Sequence, residues 1–153
     1  MSDDLLGTAR RLAKASPKKP RQADLKRSIS TAYYALFHAV ARDCADRLVG
    51  TGQNRADKAW RQTYRALNHG EAKTACAQLR NLGFPPDLTQ VGDAFRTLQE
   101  QRHKADYDPF HRVNRATALT AIQLAETAIS NLRAAGSKDR IAFAIQLLLK
   151  QRP

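Results

Sequence analysis

The sequence predicts an all-α fold: an up-and-down four-helix bundle with extra short N-terminal, connecting and C-terminal helices. Three observations lead to this prediction. Apolar residues recur three and four positions apart through most of the chain, which is the spacing of an amphipathic helix. Only seven glycines and six prolines interrupt the 153 residues. This length suits a single core and no internal repeat divides it, so we expect one domain over residues 1–153.

The first two helices are predicted on either side of a basic linker that contains two prolines, Ser16 to Arg21. A short helix is predicted from Asp3 to Ala15. The second helix, Gln22 to Val49, is the longest, and its apolar side covers more than about 100° of its surface. Such a helix is usually central to a bundle, although it can also pack a second subunit. The opposite side is predicted to be polar and carries Arg27, Thr31, His38 and Arg42, with Tyr34 at its border.

Two shorter helices are predicted next, each followed or preceded by a glycine-containing break. The third helix runs from Asn54 to Asn68 and follows the i, i+3, i+4, i+7 spacing well. The fourth runs from Glu71 to Leu82 and ends before the break at Gly83 to Pro86.

Three further helices complete the prediction, from Asp87 to Tyr107, from Val113 to Ala135 and from Arg140 to Lys150. The last is apolar around much of its circumference, so it is covered either by the bundle or by another chain. We expect the second, third, fifth and sixth helices to form the four-helix core.

The charge of the chain favours an anionic partner. Lysine and arginine number 26 against 14 acidic residues, which gives a net charge of +12 and an isoelectric point of about 10.3. Nucleic acid or an acidic protein would suit this excess. A soluble basic protein without such a partner is the alternative.

The compartment is predicted from the cysteines and from the apolar runs. Cys44 and Cys76 fall on apolar helix faces without CxxC spacing, which suits a reduced cytoplasmic setting. The acidic start does not resemble a signal peptide, and no run approaches the roughly 20 apolar residues of a membrane span. We therefore expect a cytoplasmic location and no membrane partner.

Most kinds of enzyme site have no signal in the sequence. The four histidines, at positions 38, 69, 103 and 111, form no metal-ligand spacing, and the Glu-x-x-His pattern of di-iron bundles is absent. There is no glycine-rich phosphate loop and no serine in a nucleophile elbow. The sequence therefore predicts neither a metal nor a cofactor.

One charged residue lies where an apolar residue is expected. Arg102 falls in the middle of the apolar stripe of the fifth helix, and a buried charge needs a partner or a wet cavity. Asp106 is four residues on and can reach it. The pair is either a structural ion pair or part of an anion site, because a guanidinium matches the geometry of phosphate. His103 could add a second donor, or it could be a solvated surface residue.

Two motifs occur in a defined order along the chain. Ser28 to His38 reads SISTAYYALFH, and Arg102 to Asp108 reads RHKADYD. Together they resemble the HEPN family, the higher eukaryotes and prokaryotes nucleotide-binding domains, and one bacterial branch of it in particular. The resemblance spans about Asp24 to Ala135, and the two motifs in this order are more specific than either alone.

The resemblance implies a four-helix up-and-down fold that is often dimeric. Many members are metal-independent ribonucleases of toxin–antitoxin or defence systems, with an arginine followed four to six residues later by a histidine. Here Arg102 and His103 match the arginine and its polar follower, and Tyr107 stands where a histidine is expected. A tyrosine, whose unperturbed pKa is about 10, is a poor general base at neutral pH. His111 lies beyond Pro109, outside that helical position.

The function predicted from this resemblance is binding of RNA or a nucleotide by a cytoplasmic homodimer with a degenerate nuclease motif. Arg102 would bind phosphate, Asp106 would orient it, and Tyr107 would be its candidate catalytic companion. The predicted binding residues are Arg102, His103, Asp106, Tyr107, His38 and Tyr34. Two alternatives remain: a metal-independent ribonuclease toxin, and a subunit that pairs with an acidic nucleotidyltransferase antitoxin.

Overall fold

The computed structural model describes residues 1–153, and it contains seven α-helices and no strand. The all-α prediction is therefore confirmed. The third and sixth helices begin later than predicted, and the fourth and seventh begin earlier. The helices are α1 (Ser2–Lys14), α2 (Gln22–Leu48), α3 (Asp57–Ala66), α4 (His69–Cys76), α5 (Pro86–Tyr107), α6 (Arg115–Ala134) and α7 (Ser137–Leu148).

A side-chain cap fixes the start of α4. The Asn68 side chain accepts hydrogen bonds from the backbone N–H groups two and three residues on, at 3.0 and 3.2 Å. Asparagine is favoured at this position because it satisfies amides that have no partner inside the helix. The helix therefore begins at His69 rather than at Glu71, and it ends at Cys76, well before the predicted Leu82.

The long helix α2 lies at the centre of the bundle and packs against α1, α5 and α6. Ser28 of α2 donates a hydrogen bond to the Ala9 carbonyl of α1 at 2.8 Å. Near its start, Gln22 exchanges two hydrogen bonds with the backbone of Val113, just before α6, at 2.7 and 3.0 Å. The start of α2 therefore lies beside the start of α6 and beside the end of α5, where Ser30 is hydrogen-bonded to Asp106. The helix α2 thus runs parallel to α6 and antiparallel to α5, as in an up-and-down bundle.

The predicted role of the third helix in the core is wrong. The helix α3 has no buried residue and packs chiefly against α2. The spacing of its apolar residues is that of a core helix. The polar atoms of its aromatic side chains, however, make hydrogen bonds at the partly exposed surface of the bundle. Trp60 Nε1 donates to Asp46 at 2.9 Å, and the Tyr64 hydroxyl is bonded to His38. The helix α1 fills the fourth core position instead, with small residues that permit its close approach to α2.

The predicted polar side of α2 is also only partly correct. Arg27 and Arg42 are exposed, but Thr31 is buried, as are Ser28 and Ser30. The reason is that helices pack around α2 on more than one side. One face of the apolar α7 is covered by the bundle itself, where the helix packs against α2 and α4. Phe143, Ala144 and Leu147 are buried on this face, whereas Ile141 is exposed.

Gly92 sets the distance between α5 and the end of α4. A Cβ atom at this position would lie 2.6 Å from Cδ1 of Leu79 and 3.4 Å from both Cβ and the carbonyl oxygen of Cys76. The absence of a side chain therefore allows α5 to approach the end of α4 at backbone range. Cys44 and Cys76 are both buried and unpaired by disulfide, and burial raises the pKa of each thiol.

None of the seven helices combines the length and the apolar character that crossing a lipid bilayer requires.

Candidate anion-binding site

Arg102 lies on the buried face of α5, as predicted, and is only 8% exposed. Its guanidinium carbon is 5.2 Å from the ring centroid of Tyr33 and 5.8 Å from that of Tyr34, both on α2. The ring of Tyr107 is 5.9 Å away. A guanidinium is attracted to the faces of aromatic rings, so these three tyrosines hold it between α5 and α2. We call Tyr33, Tyr34 and Tyr107 the tyrosine cluster.

The predicted contact of Arg102 with Asp106 is present but loose. Nη1 of Arg102 lies 3.8 Å from Oδ2 of Asp106, which is too long for a hydrogen bond. The same carboxylate oxygen instead accepts a hydrogen bond from Ser30 of α2 at 3.2 Å. Asp106 is therefore held by α2 while it neutralises the arginine only from a distance.

The guanidinium is left with unused donors. Its Nε is buried and makes no hydrogen bond. The terminal nitrogens make no hydrogen bond of ordinary geometry, although Arg102 lies close enough to Tyr33 to lower the pKa of its hydroxyl by charge and as a donor. They are not among the fully buried unpartnered atoms, so they reach solvent. A buried donor without a partner costs about 1–3 kcal/mol. The guanidinium of Arg102 is thus almost fully enclosed by the protein, yet several of its hydrogen-bond donors remain available to a ligand.

A histidine that the sequence did not single out joins this site. The hydroxyl of Tyr33 is hydrogen-bonded to Nδ1 of His69, the first residue of α4, at 2.6 Å. The imidazole stacks on Phe37 of α2 with 4.2 Å between ring centroids and 18° between planes. Tyr33 therefore contacts both the guanidinium of α5 and the imidazole of α4.

The surroundings of His69 favour its neutral form. Burial lowers the pKa of His69, and the positive charge of Arg102 lowers it further, followed by a smaller contribution from His38. Burial also raises the pKa of the Tyr33 hydroxyl, against the opposing effect of Arg102. At neutral pH the pair is thus an uncharged phenol and an uncharged imidazole beside a permanent cation.

His103 and Tyr107 lie towards solvent. The Tyr107 side chain is 65% exposed, and its ring is 4.9 Å from that of His103. His103 lines a surface groove with Lys73, Glu100 and neighbouring residues of α5. The structure therefore brings Tyr107 to Arg102, whereas His103 reaches the site only through its contact with Tyr107.

His38 lines a separate cavity, although it is near enough to His69 to lower the pKa of that imidazole. Its Nδ1 is hydrogen-bonded to the Tyr64 hydroxyl at 2.6 Å, and burial lowers its pKa. It lines a cavity of about 320 Å³ together with Asp43 and Arg140. Its ring is 6.2 Å from that of Tyr34, so one tyrosine separates it from Arg102.

No family model matches this sequence, and neither the characterised proteins nor the solved structures include one that is significantly similar to it.

Proposed function

We propose that this protein binds RNA or a nucleotide through Arg102, as the resemblance of its two motifs to HEPN domains implies. The observation that carries the proposal is the unsaturated guanidinium. It is nearly buried, it has no hydrogen bond to Asp106, and its terminal nitrogens reach solvent. A phosphate oxygen would supply the charge-assisted hydrogen bonds that the protein does not provide.

Exposed aromatic rings beside this site support a polynucleotide ligand. Tyr107 is 65% exposed, and Phe110, in the loop that follows α5, is 91% exposed. Lys104 and Arg112 are exposed in the same stretch of chain. Aromatic rings on which bases stack, placed among cations that follow the backbone, are typical of surfaces that bind single-stranded nucleic acid. The net charge of +12 adds a long-range attraction for the same partner.

A binding assay with a charge-matched control tests the proposal. The affinity for a fluorescently labelled single-stranded RNA is measured by anisotropy at two salt concentrations. We expect Arg102→Met to weaken binding about tenfold, the effect of one lost charge-assisted contact. Arg61→Met removes a charge from an exposed position on α3 and should change the affinity by less than about twofold. Equal affinities for the parent and Arg102→Met would refute the proposal.

Metal-independent RNA cleavage is a second candidate function, and one observation favours it. A neutral imidazole and a guanidinium both contact Tyr33. Cleavage is tested by incubating structured RNA with the protein in the presence of a chelator and separating the products on a denaturing gel. Shortening of the RNA by the parent but not by Arg102→Met supports this function, and intact RNA in both samples rejects it.

The proposal also includes the cytoplasmic homodimer and the antitoxin that the resemblance implies. Sedimentation of the purified protein at several concentrations measures its oligomeric state, and a dimer is the expected result. Co-purification of one acidic partner in a fixed ratio from the native host would support the antitoxin. A free dimer from such a preparation would count against it.

A further inference from the structure

The imidazole of His69 is held on two sides and open on a third. Its Nδ1 is bonded to the Tyr33 hydroxyl at 2.6 Å, and one ring face is stacked on Phe37 at 4.2 Å. Its Nε2 makes no hydrogen bond within the protein, and it is not one of the fully buried atoms without a partner, so it reaches solvent. A ring fixed in this way presents one free polar atom in a defined direction.

The position of Arg102 determines whether Nε2 of His69 carries a hydrogen. A guanidinium only donates hydrogen bonds, and Arg102 lies beside Tyr33, where it lowers the pKa of the phenol by its charge and as a donor. The phenol oxygen therefore faces a donor, and its own proton is directed to Nδ1 of His69. An imidazole that accepts at Nδ1 and is neutral carries its hydrogen on Nε2. His69 thus presents an N–H donor.

We infer that His69 is a second ligand-binding residue of the Arg102 site, and that its Nε2–H donates to the phosphate-bearing ligand that Arg102 binds. This inference rests on the proposed function. It places the two donors on different helices, α5 and α4, with both residues in contact with Tyr33 of α2. The motif around Arg102 has Tyr107 where the HEPN resemblance leads us to expect a histidine. His69, from a distant part of the sequence, would supply an imidazole to the same site.

A purely structural role for His69 makes a different prediction, and two amide variants separate the roles. Asparagine places an amide where Nδ1 stands, so His69→Asn keeps the partner of Tyr33 and removes the outer donor. Glutamine places its amide where Nε2 stands, so His69→Gln keeps the outer donor and removes the partner of Tyr33. Each variant is therefore the matched control for the other.

The experiment measures single-stranded RNA affinity for the parent and both variants, after thermal unfolding has established that each is folded. We expect His69→Asn to bind about tenfold more weakly than the parent, and His69→Gln to stay within about threefold of it. Equal affinities in all three proteins, equal losses in both variants, or the weaker binding in His69→Gln would each overturn the inference.

A measurement on the unaltered protein removes the dependence on variant folding. With ¹⁵N-labelled histidine, addition of the RNA should shift the Nε2 resonance of His69 by more than that of His38, because His38 is bonded to Tyr64 and lines a different cavity. An unchanged His69 resonance at saturating RNA would overturn the inference.

The two proposals can fail separately. If the parent binds no RNA, both fall. If the parent binds and Arg102→Met does not, while His69→Asn binds as the parent does, only the inference about His69 is refuted.

Discussion

Two arginines, one buried and one half-buried, face aspartates in this molecule, one towards each end of α2, and their surroundings differ. Arg140 of α7 donates to Oδ1 of Asp43 through Nε at 3.0 Å and through Nη2 as well. Its Nη1 donates to the carbonyl of Arg133 at 3.4 Å, and Arg47 approaches the same carboxylate at 3.7 Å. Every nitrogen of this guanidinium has a partner inside the protein. We call Arg140–Asp43 the closed pair.

Arg102 and Asp106 form the open pair. Their nearest atoms are 3.8 Å apart, the aspartate is hydrogen-bonded to a serine instead, and Nε of the arginine has no partner. Burial of a charge alone therefore does not distinguish a structural ion pair from a candidate binding site. The number of unused donors is the difference between these two pairs, because only unused donors can be offered to a ligand.

The largest expected effect is the loss of stability when the closed pair is broken. Arg140→Met leaves Asp43 buried without its main partner, so we expect the free energy of unfolding at pH 7 to fall by about 3 kcal/mol. Burial raises the pKa of Asp43 against the pull of Arg140 and Arg47. The aspartate is then protonated more readily in the folded than in the unfolded chain, so the loss should shrink as the pH falls towards 4. Denaturant unfolding at several pH values measures this, and a pH-independent loss would contradict it.

A smaller effect on stability is expected for the open pair. Arg102→Met replaces a poorly satisfied guanidinium with an apolar chain of similar length, and the exposed Asp106 stays hydrated. We expect the free energy of unfolding to change by less than about 1 kcal/mol, in either direction. The same unfolding experiment measures it. A loss as large as that of Arg140→Met would mean that the open pair is structural.

The smallest expected effect is a change in titration. The pKa of His69 is lowered by burial first and by Arg102 second, so Arg102→Met should raise it towards its ordinary value of about 6.5. The stability that neutral His69 contributes is present above that value and is lost as the pH falls below it, and this loss should be smaller in the variant. Histidine NMR titration measures both rings. His38, which Arg102 does not influence, is the internal control, and an unchanged His69 curve would refute the contact.

The sequence was sufficient for the features that depend on local spacing. The length of α2 followed from its broad apolar side, and the contact of Arg102 with Asp106 followed from their separation by one helical turn. The role of α3 was predicted wrongly because Trp60 and Tyr64 satisfy apolar spacing with rings whose polar tips remain at the surface. A prediction from spacing treats such rings as core residues, whereas their hydrogen bonds keep them at the partly exposed surface.

The position of His69 could not be read from the sequence. It meets Tyr33 across two helices, and no periodicity connects residues so far apart along the chain. The one local sign was its place at the start of a helix, after an asparagine that caps it. A tertiary contact of this kind depends on how α4 docks, which local patterns do not specify.

Gly92 acts as a spacer between the two helices that carry the site's donors. It touches neither Arg102 nor His69, yet it lets α5, which bears the arginine, lie against the end of α4, which bears the histidine. A methyl group at this position would meet Cδ1 of Leu79 at 2.6 Å, so the flexible end of that side chain would have to turn away, whereas the 3.4 Å distances to Cys76 are ordinary van der Waals contacts. The close packing of the two helices that bear Arg102 and His69 therefore depends on the room that Gly92 leaves for the Leu79 side chain.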